Sequence, residues 1–197
     1  MFRRAVRLLP LLAAALLVGA LSTGSFAVAG DRHSNSHSDQ VRLCDKSCNE
    51  HQFSAWDEQW LMMSIQGDLF EIQGGKIAQA KGTTQKVRDL GARLVKDHSE
   101  SLKKATDLAK KLGIEVPGEP SPTQQWELRA VQQFKGAEFD RWYSDLEVQD
   151  HKQDIKEAQD EVDKGCNHDV REDAEDEIPT LQEHLRLAQD ALASLGS

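Results

Sequence analysis

From Ser54 to the C-terminus the apolar residues recur at three- and four-residue steps, and no segment alternates with the period of two that a half-buried strand requires. Such a chain has to bury its apolar stripes helix against helix. Ser54 with Asp57 three residues later forms a capping box, after which Trp56, Met63, Phe70 and Ile77 recur every seven residues. Gly67 and Gly74 fall at intervening core positions, where a second helix is expected to approach closely. Gly82 closes this helix and Thr83 or Thr84 opens the next. The second stripe runs through Val87, Leu90, Leu94, His98, Leu102, Ala105, Leu108 and Leu112, and Gly113 and Pro117 stop it.

Ser121-Pro122 with Gln124 starts a short helix, with Trp126, Ala130 and Phe134 expected to cover one end of the core. A long helix follows from about Ala137 to Lys164, burying Phe139, Trp142, Tyr143 and Leu146 early and continuing through Val148, His151, Ile155, Ala158 and Val162. The last stripe is Ala174, Ile178, Leu181, Leu185, Ala188, Leu192 and Leu195, with Pro179 inside it as a site for a kink or a gentle bend. The expected architecture is all-α: a four-helix bundle over 54–197 with a short extra helix in its crossover.

The N-terminus reads as an address. Arg3, Arg4 and Arg7 precede an apolar run from Leu8 to Val18, and Ala27-Val28-Ala29 supplies a small-x-small cleavage pattern. Residues 1–29 are read as a signal peptide cleaved before Gly30, with an uncleaved anchor as the alternative. After cleavage no integral membrane insertion is expected, which leaves a periplasmic or extracellular protein. Residues 30–53 lack any apolar period and read as a tether. It carries His33, His37, Cys44, Cys48 and His51, a set that suits a disulfide between Cys44 and Cys48 or a soft metal such as copper or zinc. Cys166 makes the cysteine count odd.

The net charge is −9, and more negative once the leader's arginines are gone, which argues against nucleic acid and against anionic membrane surfaces as partners. No glycine-flanked nucleophilic serine and no phosphate-cradling loop occur.

One local repeat pairs Val95-Lys96-Asp97-His98 with Val148-Gln149-Asp150-His151. Leu94-Val95-Lys96-Asp97-His98, Phe139-Asp140 with Tyr143 and His151 behind it, and Pro179-Thr180-Leu181-x-x-His184-Leu185-x-x-Ala188 together resemble the domain of unknown function 4142 family. This is an exported bacterial family assigned to the ferritin-like superfamily and often labelled predicted outer membrane protein. The resemblance implies a ferritin-like bundle and an exported location, and brings no activity.

Ferritin-like bundles hold two metals with Glu-x-x-His pairs, but Val95, Val148 and Leu181 stand three residues before His98, His151 and His184. What remains is a set of single histidines. Counted along antiparallel neighbours, His98 and His151 fall at one height, and His184 and Glu71 lie about five residues off that level. His98 and His151 sit on apolar stripes, whereas His184 and Glu71 take flanking positions and would have to turn inward.

Two readings follow. In the first, the histidines form a structural hydrogen-bond layer satisfied by Glu71, Asp140 and Tyr143 in a non-catalytic binding or envelope-maintenance module. In the second, His98, His151, His184 and Glu71 hold a transition metal ion in a metal-binding or metal-dependent redox protein. Asp97, Asp150 and Glu183, each one residue before a histidine, are expected on a solvated face.

Overall fold

Five helices form in residues 52–196, the part of the chain that the computed structural model describes: α1 (Ala55–Lys81), α2 (Gln85–Leu112), α3 (Pro122–Val131), α4 (Gly136–Lys164) and α5 (His168–Ala193). Their ends follow from local chemistry. Ser54 and Ser121 cap α1 and α3 through reciprocal boxes with Asp57 and Gln124. Thr84 and Asn167 cap α2 and α5 with their side chains, and Gly113 ends α2 at φ 75°, a left-handed conformation that glycine adopts without strain.

Two side chains lock the connections. Asp57, at the start of α1, accepts from the backbone N–H groups of Cys166 (2.7 Å) and Asn167 (2.9 Å) in the turn between α4 and α5. Asp140, early in α4, accepts from Thr83 N (2.8 Å), Thr83 Oγ1 (2.7 Å) and Thr84 N (2.9 Å) in the turn between α1 and α2. These contacts place α1 antiparallel to α4, and Lys111 on Asp169 likewise joins the end of α2 to the start of α5. Helix α1 packs on α2 and α4, and α5 packs on the same two, so α2 and α4 lie across the bundle diagonal and run parallel. That corrects the antiparallel-neighbour assumption behind the histidine heights. The segment carrying α3 returns the chain along the bundle, the single long crossover of ferritin-like connectivity. His98 and His151 still share a level because each sits near the middle of its helix.

The stripes that face the axis differ from those counted on apolar residues alone. In α1 the inward series is Asp57, Leu61, Asp68, Glu71, Gly75 and Ala78, while Trp56 lies on the exposed flank. In α5 it is Val170, Ala174, Leu181, His184, Ala188 and Ala191. Trp126 and Trp142 are 64% and 53% exposed, and α3 turns Leu128 and Val131 inward instead. The close helix approach belongs to Gly75 and Gly91: a Cβ on either would meet the other's carbonyl oxygen at 2.6 Å. Gly67 has nothing near it and Gly74 makes only ordinary contacts.

Two apolar clusters result. One contains Trp60, Leu61, Ile65, Ala105, Ala109, Ala158, Val170 and Leu181; the other contains Ala78, Val87, Leu90, Leu94, Phe139, Tyr143, Val148 and Ala188. Between them lies a layer of buried polar side chains.

The expected signal peptide and most of the expected tether, including His33, His37, Cys44, Cys48 and His51, lie outside the described residues. Cys166 is disulfide-bonded. The pair expected between Cys44 and Cys48 falls on residues outside those described. Among the described residues no helix is long and apolar enough to cross a membrane.

Candidate metal centre

The polar layer is built from helix faces on which a chemically active side chain replaces an apolar one at the same step. Helix α2 contributes His98, α4 contributes His151 and α5 contributes His184, and all three are buried. Their ring centroids lie 5.1 Å (His98 to His184), 5.2 Å (His151 to His184) and 5.9 Å (His98 to His151) apart. One ring nitrogen from each lies within 4.8 Å of the other two.

Each imidazole is held from behind. His184 Nε2 is 3.0 Å from Asp97 Oδ2, and Asp97 is itself gripped by Arg93 and Lys96. Burial opposes ionisation of Asp97, but the hydrogen bonds from Arg93, His184 and Lys96 outweigh it and hold the carboxyl well below its ordinary range. His184 Nε2 therefore carries the proton and donates it. His151 Nδ1 donates to the Glu147 backbone carbonyl at 2.9 Å. His98 Nδ1 faces Asp68 Oδ1 at 2.8 Å and donates to it when Asp68 is ionised.

The remaining ring atoms, His98 Nε2, His151 Nε2 and His184 Nδ1, are buried and have no hydrogen-bond partner. Burial drives all three rings toward the neutral form. His98 falls to about 4 against the opposing pull of Asp150 and Asp97; His151 falls to about 3 with the other two imidazoles adding to the effect; His184 falls to about 4, with His98 adding and Asp97 opposing. At neutral pH the layer thus presents lone pairs rather than imidazolium charge.

The expected partners do not serve the rings. Asp140 caps the α1–α2 turn, and the Tyr143 hydroxyl is buried without a partner. Glu71 is fully buried and turned inward, as is His184, but it groups with Glu147 and His151 rather than with all three histidines. Asp97 and Asp150 also leave the expected solvated face. The Asp97 side chain is only 9% exposed, and Asp150 stands in a second group with Glu71 and Asp154. Glu183 does take the outer face, paired with Arg186. The two Val-x-Asp-His segments are therefore not equivalent in role.

Four acidic residues escaped the sequence reading: Asp68, Glu147, Asp154 and Glu177. Burial pushes Glu147 and Glu177 up to about 8, and raises Asp68 and Asp154 well above the ordinary carboxylate range. Their signal was present, since Glu147, His151, Asp154, Ala158 and Glu161 follow each other at steps of four and three, an inward helical face written in polar letters. Between α2 and α5 a cavity of about 200 Å³, bordered by Asp68, His98, Asp173, Glu177 and His184, adjoins the layer.

A three-nitrogen set backed by a carboxylate or carbonyl on each ring is the arrangement in which outer partners fix imidazoles for a metal. The family model for "Domain of unknown function (DUF4142)" matches residues 42–191. The chain belongs to this family. As a DUF4142 protein it is also similar in fold to the crystal structure of a DUF305 fragment from Deinococcus radiodurans. The TM-score is 0.65 at 12% identity, covering 73% of this chain and 99% of that one. No curated protein matches the chain.

Proposed function

We propose that this protein is an exported, non-catalytic binding module whose ligand is a divalent transition metal ion, held by His98, His151 and His184 at the middle of the bundle. The observation that carries this reading is the set of three buried ring nitrogens with no hydrogen-bond partner, brought together while the opposite nitrogen of each ring is occupied. A purely structural layer would leave three acceptors unsatisfied, at about 1–3 kcal/mol each. A cation satisfies them together. Neutral imidazoles suit zinc or copper, whose bonds to nitrogen of about 2.0–2.1 Å require the three rings to draw in from their present spacing.

Two features support export: the arginine-led apolar run ending in Ala27-Val28-Ala29, and the disulfide at Cys166, a bond that persists in oxidising compartments. N-terminal sequencing should find Gly30 first, and Met1 on membrane-bound material would overturn that part.

The ligand is tested on protein purified without added metal, stripped with chelator and titrated with Zn²⁺ or Cu²⁺. One equivalent bound by the parent, with none bound by the His98→Leu plus His151→Leu variant, is the expected result. Uptake unaffected by that double change would place the metal elsewhere, and no uptake would leave the histidines a packing layer.

A further inference from the structure

A second cluster adjoins the imidazoles and has a different donor chemistry. Carboxylate oxygens of Glu71, Asp150 and Asp154 lie within 4.8 Å of one another, and Glu71 also groups with Glu147 and His151 at that spacing. Glu71 and Glu147 are 0% exposed, and neither oxygen of either side chain receives a hydrogen bond. Asp150 Oδ2 is buried and unpartnered as well. Among the described residues no lysine or arginine pairs with any of these four acids.

Four carboxyls packed with no basic partner, and with the Tyr143 hydroxyl beside Glu147 as the donor at hand, repel one another in a medium that screens poorly. Protons shared between them would relieve the repulsion. A divalent cation would do so too, and it would also use the oxygens that now lack any partner. Glu71 comes from α1 and Asp150 and Asp154 from successive turns of α4, so these three carboxyls approach one another from two adjacent helices, with Glu147 on the side of Glu71 that faces His151.

We infer that Glu71, Glu147, Asp150 and Asp154 form a second cation site beside the imidazole set, selective for a hard divalent ion of the Mn²⁺, Mg²⁺ or Ca²⁺ class. Oxygen-only donors favour such ions, whereas the neighbouring nitrogen-only set favours softer ones, so the bundle sorts two kinds of metal into two adjacent positions. The inference extends the proposed function, but it stands on its own residues and fails separately.

The test uses the full chain, stripped with chelator, loaded with one equivalent of Zn²⁺ and titrated with Mn²⁺ as the probe, with free Mn²⁺ followed by electron paramagnetic resonance. The parent should bind one Mn²⁺ per chain. Glu71→Gln should abolish this binding and keep the Zn²⁺ equivalent, and Asp154→Asn, at a less buried position, should do the same if Glu71→Gln fails to fold. His98→Leu should show the reverse, retaining Mn²⁺ and losing Zn²⁺. No Mn²⁺ uptake by the parent, or uptake unchanged in a folded Asp154→Asn or Glu71→Gln variant, would overturn the inference and leave shared protons as the charge balance. Zn²⁺ failing to bind while Mn²⁺ binding persists would sink only the imidazole reading.

Discussion

The ends of the bundle and its middle are held by opposite kinds of interaction. At one end Leu61, Ile65 and Ala105 are fully buried among apolar neighbours, and at the other Val87, Leu94 and Phe139 are. Each removes apolar surface from water with no polar debt. The middle buries His98, His151, His184, Glu71 and Glu147, and leaves ring nitrogens and carboxyl oxygens without partners. Burying such groups opposes folding. The ends therefore make the fold, and the middle is carried by them.

The sharpest way to break this contrast is to truncate an end. Leu61→Ala should cost about 2–5 kcal/mol of unfolding free energy in a urea or guanidinium titration, the range for a fully buried leucine. A loss well under that would mean the ends are not the source of stability.

The middle should respond with the other sign. His98→Leu plus His151→Leu should leave metal-free protein at least as stable as the parent, because unpartnered nitrogens are replaced by apolar groups of similar volume. Free metal at a hundred times its dissociation constant should then raise the parent's stability by about 2.7 kcal/mol and leave the double variant unmoved. Thermal melts with and without metal read both effects.

A smaller change tests the support behind the rings. Asp97→Asn removes the ionised acceptor that fixes the His184 tautomer, and should weaken metal binding by about 10–100-fold while leaving stoichiometry intact.

The ends also bury ionisable groups, Asp57, Asp140 and Glu161 among them. Burial, and after it the neighbouring Asp57, pushes Glu161 from its ordinary value of 4.5 up to about 9, so the folded state keeps a proton that the unfolded chain releases. Stabilisation from this group is complete below about pH 4.5 and is lost progressively as pH rises toward 9. Glu161→Gln should flatten that decline in a pH series of denaturant midpoints. At the bottom of the scale, Lys103→Ala breaks an exposed i,i+4 pair with Asp107 and should leave the denaturant midpoint unchanged.

Helix ends were legible in the sequence because their chemistry is local: the Ser54 and Ser121 boxes, the Thr84 cap and the Gly113 stop all appear where the letters put them. The rotation of each helix about its own axis was less legible. Counting apolar residues alone put Trp56 and Trp142 inside and turned Glu71 and His184 to the flank, because the inward faces of α1, α4 and α5 carry carboxylates and imidazoles at their middle steps. Asp97 was lost for another reason. It points about 100° away from His98 around α2, and that direction, which would face water on an isolated helix, faces His184 of α5. The burial of a residue between two helices depends on a neighbour that one helix's periodicity does not contain.

Asp97 and the histidine it holds are 87 residues apart in the chain, and His98 and Asp68 are 30 apart. No hairpin of this bundle contains the three imidazoles, since α2, α4 and α5 supply one each. The site is thus a long-range object. A chain emerging from synthesis holds no version of it until its final helix has docked. Capture of a metal at that point would report completed assembly, in the same event that stabilises it.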